Sequence, residues 1–282
     1  MSRPMVYHDM SFDEYRRLPG WNWSVIKMLA KSPLHAYHAH TAPDEDSASR
    51  VMLRAIHCLV LEPHEFDGAF AIYEGKVRRG KEFDAFAAAH EGKGILNPRE
   101  YAEAQATAGA YRAHPEVMKI AQGACCEVVV TWTDGETGLP CKARVDAIKE
   151  GAGIMDLKTI GTTIGRRVAA LTATNLYHGQ LAHYAEGCEA NGIKVPAAYI
   201  AAAESKPPQD VALFALDDGA PDGALYVGRS LRRRLMRRLA ECVERDEWPG
   251  RHPETQNLCL PSYAIDDELE FGGEDLALAE MP

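Results

Sequence analysis

The 282-residue sequence lacks several features that would each assign it to a familiar class of protein. No apolar run approaches the roughly 18 residues of a membrane-spanning helix, and the opening MSRPMVYHDM has no apolar signal segment. The seven cysteines form no CxxC pair, so we expect reduced thiols in the cytoplasm. The absence of a GxxxxGK[ST] motif argues against an ATP-driven motor.

Positive charge is also missing from one end of the chain. From His252 to Pro282 there is no lysine or arginine, but there are eight acids: Glu254, Asp266, Asp267, Glu268, Glu270, Glu274, Asp275 and Glu280. Without these eight, the 41 acids fall to 33 against 31 bases, so the net charge of −10 does not exclude a nucleic-acid partner. We predict a single domain over residues 1–262 and an acidic tail over 263–282.

Hydrophobic periodicity divides this domain into a helical first part, residues 1–122, and a mixed core, residues 123–262. The first part shows a helical period with a break at Pro33, and a period of two begins at Glu127. The predicted strands cover 127–133, 139–149, 154–159, 195–203 and 211–216, and the later helices cover 175–191 and 229–247. This order predicts an α+β fold with a mixed central sheet flanked by helices.

Three acids and one lysine fall at positions that two hairpins could bring together. If the turn at Gly151 has three residues, Asp146 faces Asp156 across the hairpin, and Lys158 shares their face of the sheet. An even-length loop in the preceding hairpin would place Glu127 opposite Asp146. A slip of one residue would separate all four, so the expectation depends on the register.

Carboxylates this close repel each other unless a proton or a cation lies between them. Mg²⁺ prefers oxygen ligands, and a neighbouring ammonium can orient an attacking water. Spacing alone fits equally an exposed strand face with Asp–Lys ion pairs, which is a common surface feature. The flanking residues favour the metal site.

These flanking residues resemble a known family. Asp146 in CKARVDAI, followed by Asp156 and Lys158 in IMDLKT, resembles the D…(D/E)xK core of the PD-(D/E)XK nuclease superfamily. Gln180 and Tyr184 in GQLAHY resemble the QxxxY element of its RecB-like branch. They are i and i+4, so they share one face of a helix. The resemblance implies a restriction-endonuclease-like core.

Further motifs are similar to those of the exonuclease VIII (RecE-type) group of this superfamily. His57 in LRAIHCLVLEP resembles its histidine helix, although Arg54-Ala55 stands where the family has a small Gly-Thr-like stretch. The other similar positions are Tyr7, Ser24, Lys27, Ser32, Pro33 and the segment Trp248–Gly250.

The resemblance implies a role for each matching residue. Asp146 and Asp156, with the carbonyl of Leu157, would bind Mg²⁺, for which Mn²⁺ can substitute. His57 would be a metal ligand, and Glu127 would serve a second metal. Among the remaining residues, the resemblance makes Lys158 the group that activates or positions water, and it makes Gln180 and Tyr184 the residues that hold the active-site helix.

Basic residues outside this site suggest contacts with the DNA backbone. Lys76, Arg78, Arg79 and Lys81 lie in a glycine-flanked loop, and such loops suit phosphate contact, although surface loops collect basic residues in any protein. The final helix carries six arginines, which its leucine stripe should turn outward: Arg229, Arg232, Arg233, Arg234, Arg237 and Arg238. They could contact duplex DNA or a neighbouring subunit, and they fit equally a solvated face that is partly paired with Glu241 and Glu244.

The resemblance implies a Mg²⁺-dependent 5′→3′ exonuclease on the ends of linear double-stranded DNA. Such an enzyme leaves 3′ single strands for an annealing protein in phage-type recombination, works as a ring-shaped homo-oligomer and has no membrane partner. Two alternatives stay open at this point. One is a RecB-like nuclease of other polarity or an endonuclease, and the other is a DNA-binding module without catalysis.

Overall fold

The computed structural model describes residues 4–42, 47–252 and 254–262. Its strands are β1 (Met5–Tyr7), β2 (Phe70–Ile72), β3 (Gly94–Leu96), β4 (Cys125–Thr133), β5 (Pro140–Lys149), β6 (Gly153–Ile160), β7 (Ala198–Glu204) and β8 (Val211–Leu216). Its helices are α1 (Phe12–Arg17), α2 (Trp23–Ile26), α3 (Pro33–Thr41), α4 (Ala48–Leu61), α5 (Phe66–Ala69), α6 (Lys81–Ala89), α7 (Pro98–Ala113), α8 (Pro115–Ala121), α9 (Gly165–Asn175), α10 (Tyr177–Ala190) and α11 (Ala224–Arg245).

Six of these strands form one mixed sheet in the order β1-β4-β5-β6-β7-β8. All neighbours are antiparallel except β6 and β7, which are parallel and connected through α9 and α10. The strands β2 and β3 form a separate parallel pair. The predicted α+β class, with a mixed central sheet flanked by helices, is confirmed.

Two hydrophobic cores lie on the two faces of the sheet. One core packs α2, α10 and α11 against the first face, with Trp132 and Leu181 among its fully buried residues. The other packs α4, α7 and α8 against the second face, around Tyr111 and Leu157. Helices α4, α7 and α8 of the N-terminal part therefore cover one face of the sheet, and α10 and α11 cover the other together with α2.

Some elements differ from the predictions. Pro33 begins α3 instead of ending a helix. Proline fits the first helical turn, because the backbone N–H that it lacks would have no partner within the helix at that position. The helix α9 was not predicted, and it meets α10 at Leu176, which adopts a left-handed backbone with φ 58°. Strand β1 was also missed, because three residues are too few for a periodic signal.

Both hairpins have the register that the sequence predicted. Across the first, Val128 pairs with Val145, and across the second, Ala147 pairs with Met155. Val145 nevertheless contributes to the first core and Ala147 to the second, although residues two apart in a regular strand share a face. The strand therefore changes face at the residue between them, Asp146.

A close helix crossing positions α10 over the sheet. A Cβ atom on Gly228 of α11 would lie only 2.2 Å from the carbonyl oxygen of His178 on α10. Glycine thus allows the backbones of the two helices to approach each other directly. This contact lies two residues before Gln180.

The expectation that all six arginines of the final helix face outward is wrong for Arg232. Leu231, Leu235 and Leu239 are buried as predicted, but Arg232 is buried too, at 3 % exposure. Its guanidinium contacts Asp134 at 2.8 Å, Glu186 at 3.1 Å and the Nδ1 of His183 at 3.3 Å. The buried Asp134 and the partly exposed Glu186 together outweigh the preference of arginine for water. The other five positions are exposed or only partly buried.

Within the described residues, no helix combines the length and the apolar character that crossing a membrane requires. The predicted acidic tail, residues 263–282, lies outside the described residues.

We expect Arg232→Ala to lower the free energy of unfolding by about 3–5 kcal/mol, because it leaves the buried Asp134 carboxylate without its cation. Arg234→Ala, at an exposed position of the same helix, should change it by no more than about 0.5 kcal/mol. Denaturant unfolding of both variants measures the difference. Equal effects of the two substitutions would contradict a structural role for the buried ion pair.

Candidate active site

The candidate site lies where β5 and β6 separate. Their ladder ends at the pair Ala147↔Met155, so Asp146 and Asp156, the next two facing positions, are not a ladder pair. Beyond this point β5 pairs with β4, and β6 pairs with β7. The backbone N–H of Leu157 donates to Asp146 Oδ2 at 2.8 Å. In the gap between the strands, the Asp146 carboxylate thus accepts the hydrogen bond that a backbone carbonyl would accept in a continuous ladder.

Three potential metal ligands meet at this point. The Nδ1 of His57 lies 3.4 Å from Asp146 Oδ2 and 3.9 Å from Glu127 Oε1. One ligand atom from each of the three residues falls within 4.8 Å of the others. Glu127 has a left-handed backbone, with φ 50°, and it interrupts the β4–β5 ladder opposite Asp146. The two ladder interruptions together bring both acids to the histidine.

The two acids lie on strands of the sheet, but the histidine comes from a helix that packs on the second face. His57 is carried by α4, whose Ala55, Ile56 and Leu59 are buried in the second core. Burial of that face holds α4 against the sheet, and His57 is left 22 % exposed beside the acids.

Asp156 and Lys158 form a second group beside the first. Lys158 Nζ lies 2.5 Å from Asp156 Oδ2. Gln180 donates from Nε2 to Asp156 Oδ1 at 3.0 Å, and the same nitrogen lies 2.7 Å from the hydroxyl of Tyr184. The hydroxyl of Tyr111 donates to the carbonyl of Lys158 at 2.9 Å. Through Gln180, the helix α10 is hydrogen-bonded directly to β6, the strand that carries Asp156 and Lys158.

Burial dominates the ionisation of these groups. It raises the pKa of Asp156 to about 6 and that of Glu127 to about 7, and it raises the pKa of Asp146 as well. Burial and the Lys158 ammonium lower the pKa of His57 to about 4, so the imidazole is neutral and keeps a free lone pair. Burial opposes the charge on Lys158, but Asp156 and Asp146 together outweigh it and raise the pKa of Lys158.

The donor set fits a divalent cation. Two carboxylates and a neutral imidazole suit Mg²⁺ or Mn²⁺, and a cation would relieve the repulsion between the buried acids. Asp156 Oδ2 is buried and accepts no hydrogen bond of good geometry within the described residues, although it touches the ammonium of Lys158. Of the predicted metal residues, His57, Glu127 and Asp146 form the tight group, and Asp156 lies with Lys158.

A cleft of about 950 Å³ opens over this site. His57, Glu127, Asp146 and Tyr184 line it, whereas Asp156 and Lys158 lie outside its lining. The rest of its described wall comes from the N-terminal segment, from α4 and the residues that follow it up to Phe70, from residues 92–94 and from β5. It includes His8, Ser11, Phe12, Tyr15, Arg54 and Arg144.

The predicted basic loop does not reach the cleft. Lys76, Arg79 and Lys81 are exposed, and Arg78 pairs with Glu100 at the start of α7. None of the four is among the described residues that line the cleft. Their contact with DNA stays a prediction.

Sequence patterns did not identify Arg144 and Tyr111 as members of the site. Arg144 Nε donates to Glu127 Oε2 at 2.6 Å. Its position two residues before Asp146 is a signal that could have indicated this role. Tyr111 comes from α7, far away in sequence, and nothing local marks it.

Comparison with known proteins supports a nuclease-type fold. A family described as a PDDEXK-like domain of unknown function (DUF3799) matches residues 22–260. The crystal structure of a candidate exonuclease from Eubacterium rectale has a TM-score of 0.60 with this chain and 16 % sequence identity. The match covers 94 % of this chain and 99 % of that chain, and at this identity it shows the shared fold. No curated protein matches.

These findings confirm the superfamily part of the resemblance, whereas the exonuclease VIII part stays a prediction. The family match spans most of the chain, including His57, Glu127, Asp146, Asp156, Lys158, Gln180 and Tyr184. The chain therefore belongs to the family of PDDEXK-like domains of unknown function.

Proposed function

We propose that this protein is a metal-dependent deoxyribonuclease that hydrolyses phosphodiester bonds. One observation carries the proposal. A cleft in a nuclease-type fold holds two carboxylates and a neutral histidine within 4.8 Å, with an aspartate–lysine pair directly behind them. A protein that only binds DNA has no need for buried acids, which repel a polyanion.

In this proposal, His57, Glu127 and Asp146 hold the cation, with Asp156 and the carbonyl of Leu157 as further ligands. A bound Mg²⁺ or Mn²⁺ would supply Lewis acidity toward a phosphoryl oxygen and lower the pKa of a bound water.

Lys158 has a different part in the reaction. Its pKa is raised by the two aspartates, so it stays protonated at neutral pH and acts as a cation rather than as a base. It would hold the attacking water and offset the negative charge that develops on the phosphate. Gln180 and Tyr184 orient the Asp156 carboxylate and thereby keep the ammonium in place.

We further propose that the substrate is the end of linear double-stranded DNA and that digestion runs 5′→3′. The motifs similar to exonuclease VIII support this, and the exonuclease description of the Eubacterium rectale protein supports action at an end. Contacts to the backbone carry no base information, so we expect low sequence specificity. A ring-shaped homo-oligomer belongs to the same proposal, because processive digestion without ATP requires that the enzyme encloses the DNA. A single-strand annealing partner would use the 3′ single strands that this digestion leaves.

The first prediction concerns the reaction itself. Purified protein with end-labelled linear duplex should release mononucleotides from 5′ ends with Mg²⁺ and none with EDTA. Internal fragments would indicate an endonuclease, release from 3′ ends would indicate other polarity, and a mobility shift without cleavage would support the DNA-binding module. The last outcome would overturn the proposed activity.

A substitution in the site should separate cleavage from binding. We expect Asp156→Asn to reduce the cleavage rate by at least about 10²-fold, because it removes the charge that holds Lys158 and the metal. DNA affinity, measured by mobility shift in EDTA, should change little. Glu150→Gln, at an exposed turn position near the same hairpin, is the matched control and should retain full activity. An active Asp156→Asn enzyme would show that the metal assignment is wrong.

Metal binding should also stabilise the fold. At a concentration of 100 times its dissociation constant, Mn²⁺ should add about 2.7 kcal/mol to the free energy of unfolding, because it binds only the folded site. Thermal unfolding in EDTA and in Mn²⁺ measures this gain. His57→Ala and Asp146→Asn should lose most of it, whereas Glu150→Gln should retain it. A metal-dependent gain that survives both site substitutions would place the cation elsewhere.

A further inference from the structure

The side chain of Glu127 is shared between two neighbours. Its Oε2 accepts a hydrogen bond from Arg144 Nε at 2.6 Å, and its Oε1 lies 3.9 Å from His57 Nδ1. One oxygen is thus held by the arginine, and the other remains in the group of potential metal ligands. Because a carboxylate held at one oxygen cannot rotate freely, Arg144 determines where the second oxygen lies.

Arg144 is itself held in place by the N-terminal segment. Its guanidinium carbon lies 5.6 Å from the centre of the Phe12 ring, a cation–π contact. The same ring lies 4.8 Å from the guanidinium of Arg54. Arg54 stands where the similar family has a small residue, and the Phe12 ring packs against this larger side chain. Phe12 therefore contacts two arginines that line the cleft.

Phe12 belongs to α1, and α1 is fixed to the strand that carries Arg144. The ammonium of Lys142, two residues before Arg144 on β5, donates to the carbonyls of Tyr15, Arg16 and Leu18 at the end of α1. The start of α1 is closed by a capping box between Ser11 and Glu14. Both ends of this short helix are thus satisfied, and Phe12 is held against Arg144.

We propose that Arg144 is a positioning residue, which fixes Glu127 as a ligand of the metal, and that α1 holds Arg144 through Phe12. The inference rests on the proposed function, because it requires a cation at His57, Glu127 and Asp146. Side chains that orient metal ligands change metal affinity by about 10- to 100-fold when they are removed.

The charge of Arg144 makes the test decisive. If the arginine acted only as a nearby positive charge, Arg144→Lys would leave cation binding unchanged, because lysine keeps the charge. If it positions Glu127 through its Nε donor, Arg144→Lys weakens cation binding as Arg144→Gln does. The two roles therefore predict different results for the lysine substitution.

The experiment measures Mn²⁺ affinity of the full-length protein by titration calorimetry without DNA. We expect both Arg144→Gln and Arg144→Lys to weaken binding by about 10-fold, since lysine keeps the charge but cannot reproduce the Nε contact. Glu127→Gln should weaken it at least as much, and the Glu127→Gln/Arg144→Gln double variant should bind like Glu127→Gln alone. Phe12→Leu should weaken binding in the same direction by a smaller factor.

Arg99→Gln is the matched control, because Arg99 also donates from Nε to a glutamate, Glu103, but on an exposed helix surface. Its Mn²⁺ affinity should equal that of the unmodified protein. Unchanged or tighter binding in Arg144→Gln or in Arg144→Lys, or additive effects in the double variant, would overturn the inference. Thermal unfolding in EDTA identifies a variant that does not fold. If the Arg144 variants do not fold, Phe12→Leu tests the inference instead, because Phe12 lies outside β5. Failure of the unmodified protein to bind Mn²⁺ would instead refute the proposed function.

Discussion

The whole site depends on the hydrogen bond from the Leu157 N–H to Asp146 Oδ2. Where β5 and β6 separate, the backbone of β6 loses its partner on one side, and a buried N–H without a partner is costly. The Asp146 carboxylate satisfies this donor and in doing so lies beside Asp156 and Lys158. Asp146, at the edge of this gap, lines the cleft together with Glu127. One local interruption of the sheet thus presents a carboxylate to the cleft.

The cost of this arrangement is electrostatic. Three carboxylates are buried close together, and burial raises the pKa of each of them. Only two cationic side chains contact them directly in the described residues: Lys158 at Asp156 and Arg144 at Glu127. Asp146 is left with a backbone N–H and a neutral imidazole. Among the three acids, it is therefore the one that has no cationic side chain in direct contact within the described residues.

The two faces of the sheet contribute different functions. The helix α10, set by its close crossing with α11, provides Gln180 and Tyr184 for the strand that carries Asp156 and Lys158. The helical N-terminal part provides His57 from α4 and, from α1, the Phe12 ring that contacts Arg144. A nuclease core of strands alone would lack the histidine, so the helical first part belongs to the site as well as to the fold.

Much of this could be predicted from the sequence, because local patterns determine it. The strand positions, the register of both hairpins and the spacing of Asp146, Asp156 and Lys158 follow from turn lengths and from a period of two. The tertiary structure decided three things: that the strands separate at Asp146, that Arg232 is buried, and that Arg144 holds Glu127. The first depends on where β5 changes face and the second on partners from distant segments, so no local pattern records them. The third joins neighbouring strands at Glu127, where a left-handed backbone interrupts the period of two.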